Sequence, residues 1–262
     1  MQASLKDKYG ETALITGASS GIGHEFAIEL AKQGINLILV ARRLELLDDL
    51  RKKLIIEYEI NVTNINADLS TPEGINKVIE ETSDYTVSIL VNNAGFGETI
   101  SYQEMDNKTI NEMISVNCTN YALLTNHFAI KMIKESKGAI FIISSIVGSI
   151  PVPYMSLYSS TKAFNLAFGE ALWYEFKKHN IDVCTVCPGS TETEFKGLRS
   201  KGKSSNVRSV SQVVDTAFRS IGKKVVVTDG FMNKFNMFLV RFVPRSLRIK
   251  TAGKVADKIL NQ

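Results

Sequence analysis

The sequence of 262 residues predicts an α/β protein built on a doubly wound parallel sheet, and three observations support this fold class. Short runs rich in Val, Ile and Leu alternate with longer segments of helical periodicity. The short runs are continuously apolar, which is typical of strands covered by helices on both faces. A glycine cluster at 17–23 lies between the first strand and the first helix. Parallel strands joined by helices need right-handed crossovers, so one sheet is the simplest arrangement.

Each element follows from its own residue pattern. Strands are predicted from apolar, β-branched runs at 12–16, 35–40, 62–67, 87–91, 139–143, 181–186 and 224–227. Helices are predicted from apolar spacings of three and four, from the glycine cluster to 33 and at about 43–57, 71–81, 105–134 and 156–178. Because there is no internal repeat or long linker, we expect one domain over 1–262. Its expected parts are a core at about 10–228, a substrate lid at about 190–210 and a C-terminal helical extension at 229–262.

Composition and charge exclude several classes of protein. Hydrophobic residues make up 44% and charged residues 22%, which are ordinary globular values and argue against disorder. The net charge of +4 is too small to indicate nucleic-acid binding. No apolar run approaches the roughly 18 residues of a membrane span, and the first residues lack the apolar core of a signal peptide. Three cysteines and three scattered histidines indicate neither a disulfide framework nor a metal site. We therefore expect a cytoplasmic protein that binds no metal and no nucleic acid.

A glycine-rich turn follows the first predicted strand and reads Thr16-Gly17-Ala18-Ser19-Ser20-Gly21-Ile22-Gly23. Glycines at such a turn let backbone N–H groups approach a pyrophosphate at the positive N-terminus of the next helix. The turn therefore favours a nucleotide site. The alternative is a glycine-rich turn with serine caps and no ligand.

Two arginines, Arg42 and Arg43, follow the second predicted strand. An acidic residue at this position would accept hydrogen bonds from the ribose of NAD. A guanidinium instead pairs with a phosphate, so the pattern favours the 2′-phosphate of NADP. The alternative is that both arginines are solvated residues at the start of the next helix.

A phenol and an ammonium, Tyr158 and Lys162, are four residues apart and would share one helix face. We expect the ammonium to lower the pKa of the phenol and so make it a proton donor to a carbonyl oxygen. Taken alone, the pair is weak evidence, because this spacing is common and a pair on a helix surface would be the favoured interpretation. Ser145 strengthens the catalytic interpretation, because it lies thirteen residues before Tyr158 and follows the predicted strand at 139–143. The runs at 92–95 and 187–193 also follow strands, at the sheet edge where such folds bind ligands.

Taken in order, the motifs T-G-x-x-x-G-x-G, N-N-A-G, Ser, Y-x-x-x-K and P-G-x-x-x-T resemble the short-chain dehydrogenase/reductase family. The resemblance covers about residues 10–228, and the extension looks like that of bacterial hydroxysteroid and long-chain 3-oxoacyl reductase-like members. It implies a Rossmann domain and an NADP(H)-dependent oxidoreductase that transfers hydride between the nicotinamide and a ketone or alcohol. A catalytically silent regulatory or scaffold protein of the same fold is the alternative.

The resemblance also implies the roles of four catalytic residues. Tyr158 matches the general acid/base, and Lys162 matches the residue that lowers its pKa and binds the nicotinamide ribose. Ser145 matches the residue that holds the substrate oxygen, with Ser144 less favoured on spacing. Asn117 matches the helix asparagine that supports a water-linked proton relay.

A larger set is expected to bind the cofactor. Within it, Asp68 resembles the residue at the adenine edge, Asn93 the one beside the adenosine half, and Thr193 the one that holds the carboxamide. The expected cofactor contacts are Gly17, Ser19, Ser20, Gly21, Ile22, Gly23, Arg42, Arg43, Asp68, Leu69, Asn93, Ala94, Gly95, Tyr158, Lys162, Pro188, Gly189, Thr191 and Thr193.

Three further features have open interpretations. The C-x-x-C run at 184–187 lies on a predicted strand, so we expect buried structural thiols. The basic residues of the lid are either solvated or attract an anionic substrate tail; they are Lys196, Arg199, Lys201, Lys203 and Arg208. The extension is rich in Phe and Met, which weakly favours an apolar substrate. The extension packs as an amphipathic helix on its own domain, caps the pocket, mediates dimerisation or, less favoured, contacts a membrane surface. Independently of the role of the extension, we expect a homodimer or homotetramer.

Overall fold

A computed structural model describes residues 4–194 and 207–260 of the chain, and it confirms the seven-stranded parallel sheet flanked by helices. The order of the strands is β3-β2-β1-β4-β5-β6-β7, and every neighbouring pair is parallel. The strands are β1 (Thr12–Thr16), β2 (Asn36–Ala41), β3 (Val62–Asn66), β4 (Ile89–Asn92), β5 (Gly138–Ile143), β6 (Ile181–Cys187) and β7 (Val226–Thr228). Most boundaries differ from the predicted ones by one or two residues. The extent of the single domain stays a prediction.

Helices cover both faces of this sheet. They are α1 (Leu5–Tyr9), α2 (Gly21–Ala31), α3 (Leu44–Tyr58), α4 (Pro72–Glu81), α5 (Asn107–Ile114), α6 (Asn120–Glu135), α7 (Ser156–Lys177), α8 (Val210–Ser220), α9 (Phe231–Val240) and α10 (Arg245–Leu260). The sequence interpretation missed α1 and α8. A signal for α8 was present, because Ser209 and Gln212 form a capping box ahead of an apolar run.

Successive residues of the central strands β1, β2, β4 and β5 belong to two different cores. Ile15 packs in the core that includes residues of α2, α3 and α8, whereas Leu14 packs in the core that includes residues of α4, α6 and α7. This follows from the two-residue period of a strand, since neighbouring side chains point to opposite faces. Both faces of the sheet are therefore apolar, which explains the continuously apolar strands of the sequence.

The sheet has its switch point at β1, which pairs with β2 on one side and with β4 on the other. The connections from β1 to β3 and from β4 onward therefore run in opposite directions. The loops that leave the carboxyl ends of β1 and β4 diverge and leave a crevice between them. This crevice determines where the candidate site forms.

One predicted helix contains a π-helical turn that the sequence did not predict. The segment expected as a single helix over 105–134 is α5, a π-helical turn at Ser115–Thr119, and α6. The π turn contains Asn117, whose side chain bonds the main chain of a neighbouring loop. A π turn inside an α-helix shifts the register of the following residues, and apolar spacing does not reveal it.

The lid prediction falls mostly on 195–206, so Lys196, Arg199, Lys201 and Lys203 lie outside the described residues. The extension forms two helices, α9 and α10, instead of one. Within 4–194 and 207–260, no helix is long and apolar enough to cross a membrane. The same ranges contain no group of three or more His, Cys, Asp or Glu side chains that could hold a metal ion.

Candidate active site

A cleft of about 960 Å³ opens at the carboxyl ends of the central strands. This volume is in the range of ligand sites in proteins. All of the residues predicted to be catalytic or to bind cofactor line the cleft except Gly23 and Asn117. The sheet therefore collects into one place residues that are separated by up to 176 positions, between Gly17 and Thr193.

The glycine turn forms one wall of the cleft. Gly17 has φ +68°, and a side chain there would lie 2.8 Å from Asn93 Nδ2. Asn93 Nδ2 donates hydrogen bonds to the carbonyl of Thr16 at 2.9 Å and to that of Gly17 at 3.2 Å. Gly23 lies against the same amide, behind the turn. Asn93 and Gly23 therefore hold the shape of the turn, while Gly17 and Gly21 face the cleft.

The turn fits a dinucleotide pyrophosphate. Gly21 has φ +59° and begins α2, whose N-cap residue Ser20 makes no side-chain capping bond. The N–H groups of the first turn of a helix have no partner within the helix, and the helix dipole favours an anion there. The missing Cβ atoms and the open first turn are the features that such a phosphate requires.

The end of the cleft that contains Arg42 and Arg43 is exposed and charged. Arg43 donates hydrogen bonds to Ser19 Oγ at 3.1 Å, Ser20 Oγ at 2.8 Å and Glu194 Oε2 at 2.9 Å. The arginine side chain is 48% exposed and that of the glutamate 66%. The hydrogen bond and charge of Arg43 hold the pKa of Glu194 below its usual range. The sequence interpretation missed Glu194, and no local motif marks it.

The other arginine, Arg42, faces the same end of the cleft. In the described ranges no carboxylate lies within ion-pair distance of it. Its charge nevertheless acts on Asp68. Burial tends to raise the pKa of Asp68, but hydrogen bonds from Ser70 and the charge of Arg42 outweigh it and lower the pKa. Asp68 Oδ1 accepts bonds from the amide and hydroxyl of Ser70, so the carboxylate is fixed beside the buried Leu69.

At the opposite end, Tyr158 is 8% exposed and forms a hydrogen bond with Ser145. Burial raises the pKa of the Tyr158 hydroxyl above its ordinary value, and the bond with Ser145 only partly offsets this effect. The net shift of the Tyr158 pKa is therefore upward, and not downward as expected from the charge of Lys162. The desolvation of the phenol dominates, because its charged form loses water in a buried site.

Lys162 is 4% exposed and donates a hydrogen bond from Nζ to the carbonyl of Ile143 at 2.8 Å. Its Nζ lies 5.8 Å from the ring centroid of Tyr158 and 5.5 Å from that of Tyr121. Burial lowers the pKa of Lys162 to about 8. The ammonium is therefore charged at neutral pH and loses its proton under mildly alkaline conditions.

Two adjacent serines have different partners. The hydroxyl of Ser144 is buried and donates to the carbonyl of Lys162 at 2.7 Å. The hydroxyl of Ser145 lies between Tyr158 and the carbonyl of Pro188, to which it is 3.5 Å away. Of the two serines, Ser145 is the one whose hydroxyl bonds the Tyr158 side chain. This agrees with the preference for Ser145 over Ser144.

Asn117 lies below the cleft, fully buried in the π turn. Its amide donates to the carbonyl of Phe96 at 2.8 Å and to Thr161 Oγ1 at 2.9 Å, and its oxygen accepts from the amide of Phe96 at 3.0 Å. These bonds join the loop after β4 to the helix that carries Tyr158. The sequence interpretation missed Phe96 and Thr161 as partners of Asn117.

The loop after β6 closes the last side of the cleft. Thr191 Oγ1 donates to the carbonyl of Gly189 at 3.1 Å, and Thr193 packs close to Gly21. A side chain at Gly189 would overlap Asn233 of α9, which the sequence interpretation did not connect with the site. Asn233 thus brings the extension against the loop after β6.

Nearby, Arg208 forms a short ion pair with the buried Asp229, Nε to Oδ2 at 2.6 Å. This pair joins the chain that returns from the lid to the start of the extension. The cysteines at 184 and 187 are buried and not bonded to each other. Burial raises the pKa of both thiols to about 12, so the expected structural role agrees with their surroundings.

Comparison with known proteins identifies relatives over nearly the whole chain. The model of the family described as short chain dehydrogenase matches residues 11–204. A 7beta-hydroxysteroid dehydrogenase of Mediterraneibacter gnavus is 30% identical over 237 residues, which are 88% of this chain and 90% of that protein.

Solved structures of similar proteins extend this likeness to the fold. A structure of a 7beta-hydroxysteroid dehydrogenase superposes with a TM-score of 0.90 at 26% identity, covering 95% of this chain and 99% of the other. A short-chain dehydrogenase from Sphingobium yanoikuyae in complex with NADPH has a TM-score of 0.77 at 30% identity, covering 90% and 97%.

Proposed function

The chain belongs to the short-chain dehydrogenase family of oxidoreductases, and from this premise we propose that it is an NADP(H)-dependent carbonyl reductase, which runs in reverse as an alcohol dehydrogenase. The observation that carries the proposal is the meeting of Ser145, Tyr158 and Lys162 at one end of the cleft, with Arg42 and Arg43 at the other. The first three residues suit proton transfer to a carbonyl. The two arginines suit a phosphate.

Tyr158, Ser145 and Lys162 have different proposed roles at the carbonyl oxygen of the substrate. NADPH, when bound, supplies the hydride for the carbonyl carbon. Tyr158 keeps its proton over the ordinary pH range because burial raises its pKa, so it is available as the general acid. Ser145 donates a second hydrogen bond to the developing alkoxide. The charge of Lys162 stabilises the tyrosinate that remains after proton transfer.

The preference for NADP over NAD rests on the exposed arginines. A guanidinium forms strong, charge-assisted bonds with phosphate oxygens, and the residue directly after β2 is Arg42 instead of an acidic residue that would bind a free ribose hydroxyl. The relative from Sphingobium yanoikuyae, which is in complex with NADPH, supports the same choice. The pyrophosphate would lie at the glycine turn, and Thr193 would hold the carboxamide.

An apolar, bulky ketone is the proposed substrate class. Phe96, Val147 and Met155 line the cleft beside Tyr158 and belong to an apolar cluster there. Such a wall favours a hydrocarbon skeleton with one polar carbonyl. The 7beta-hydroxysteroid dehydrogenases among the relatives support a steroid-like substrate.

The experiment is turnover with NADPH and with NADH over a panel of ketones and alcohols, for the wild type and Tyr158→Phe. We expect turnover with NADPH and a loss of about 10²- to 10⁴-fold in kcat for the variant, because the general acid is removed. NADPH binding to the variant, measured by fluorescence, is the control for folding. Undiminished turnover by the variant would refute the mechanism, and a preference for NADH would refute the cofactor assignment.

The remaining expectations are tested separately. A protein that binds NADPH but turns over no member of the panel would favour the catalytically silent alternative. We retain the proposals of a cytoplasmic location and of a homo-oligomer. Cell fractionation and light scattering test them.

A further inference from the structure

The helix α9 presents its aromatic side to the outside of the molecule. Phe231 is 79% exposed and Phe242, just beyond the end of α9, is 72% exposed. Between them, Phe235, Phe238 and Leu239 are exposed at spacings of three and four residues, which place all five on one side of a helix. The rings also form pairs, with centroids 6.3 Å apart for Phe231 and Phe235 and 5.2 Å apart for Phe238 and Phe242.

The inward side of the same helix is less apolar than the outward side. Asn233 is buried and donates from Nδ2 to the carbonyl of Asp229 at 2.8 Å. Met237 and Val240 follow on this side and are half-buried. A helix that only completed its own domain would turn its aromatic side inward. The outward row therefore indicates an external apolar partner.

Charge identifies the nature of this partner. Residues 231–262 contain seven basic side chains and one acidic side chain, a net charge of +6, so the other 230 residues carry −2 of the total of +4. The basic residues follow the aromatic row closely, and Arg245, Lys250 and Lys254 are exposed. Exposed aromatic residues beside cations are the composition of a helix that lies in the interface of an anionic membrane.

We propose that residues 231–260, called the tail below, dock this protein on the surface of an anionic lipid bilayer. The outward rings would enter the boundary between headgroups and acyl chains, and the cations would pair with lipid phosphates and carboxylates. A second copy of the chain is a poorer partner for this face, because a symmetric contact would bring two tails of the same charge together.

The tail is joined to the active-site region. The hydroxyl of Tyr154 donates a hydrogen bond to Asp257 of α10, and Gly253 packs against Pro153. The loop that contains Pro153 and Tyr154 leads directly into α7, which carries Tyr158. Docking through the tail therefore holds the catalytic helix near the bilayer, where an apolar ketone would be concentrated.

The test is co-sedimentation of the full chain with vesicles of phosphatidylcholine alone or with about one-third phosphatidylserine. We expect binding to the anionic vesicles and much less to the neutral ones. Lys250→Gln with Lys254→Gln should weaken binding roughly 25-fold, at about fivefold for each cation near the surface. Phe231→Ser with Phe242→Ser should weaken it at least about tenfold, because two large apolar side chains no longer enter the lipid.

Two control variants match these changes elsewhere on the surface. Tyr174→Ser removes an aromatic side chain of α7 that is 78% exposed, and Lys53→Gln with Lys137→Gln removes two exposed cations. Both should bind vesicles like the wild type. Thermal unfolding shows whether each variant is folded.

Two outcomes would overturn the proposal. One is equal binding to neutral and anionic vesicles, or none to either. The other combines two results: light scattering shows an oligomer that dissociates in the variant Phe231→Ser with Phe242→Ser, and the wild-type protein binds to no vesicles. The aromatic face would then be an interface with a second copy of the chain. Because the assay measures binding, either failure leaves the proposed reductase activity untouched.

Discussion

The end of the cleft that contains Tyr158 and Lys162 is buried, whereas the end that contains Arg42 and Arg43 is open to solvent. Tyr158 and Lys162 are 8% and 4% exposed, and burial shifts the pKa of both. Arg43 and Glu194 form their ion pair with about half or more of each side chain in water. Charges interact strongly where water is excluded and weakly where salt and water screen them. In the proposed function, proton transfer takes place in the buried, dry end of the cleft, and discrimination between cofactors takes place in its exposed, wet end.

This comparison predicts that removal of a single hydroxyl group at the dry end greatly lowers kcat. Ser145→Ala removes the hydroxyl beside Tyr158 and should lower kcat about 10²- to 10³-fold, as for loss of one donor to a developing oxyanion. Steady-state kinetics with NADPH and a ketone checks this. The matched control is Ser144→Ala, whose hydroxyl bonds only main chain and Cys187 in the described residues. That variant should lose about 1 kcal/mol of stability and less than tenfold in kcat.

The pH profile tests the same end through Lys162. Its pKa of about 8 means that the charged form predominates below pH 8 and disappears above it. Since the charge stabilises the tyrosinate, reduction should be constant below about pH 7 and fall about tenfold per unit above pH 8. Lys162→Arg keeps its charge and should lose this alkaline break, whatever its absolute rate. A wild-type profile that stays flat to pH 10 would contradict the assignment.

At the wet end the effects should be smaller and specific for the cofactor. Arg42→Gln should raise KM for NADPH about tenfold and leave KM for NADH unchanged, because only NADPH carries the 2′-phosphate. Raising the salt concentration should reduce the difference between wild type and variant. Lys53→Gln, an exposed cation outside the cleft, is the control. Equal changes for both cofactors would mean that Arg42 does not select NADP.

The smallest effect on KM for NADPH is expected for substitution of Glu194, the carboxylate that forms an ion pair with Arg43. Glu194→Gln should lower KM for NADPH about twofold to fivefold, because the arginine loses a competing partner and the site a negative charge. Glu192→Gln removes an exposed carboxylate two residues away and should have no effect. An increase in KM for NADPH would show that the glutamate supports the site.

The dry end was also the easier one to predict. Ser145, Tyr158 and Lys162 lie within 18 residues of the chain, so their proximity follows from the end of one strand and one helix. Arg42 and Arg43 were found in the same way, at the end of β2. Glu194 was missed, because its partner is 151 positions away and no periodicity connects the two.

The amino-acid sequence by itself determined the sheet, the glycine turn and the spacing of Ser145, Tyr158 and Lys162, because apolar periodicity and local spacing encode them directly. Only the tertiary structure decided the π turn at Asn117, the contact of Asn233 with Gly189, and the outward direction of the aromatic side of α9. The tertiary structure also decided that the pKa of Tyr158 is shifted upward. The physical reason is common to all four: desolvation and packing depend on neighbours distant in the chain, which no local pattern specifies.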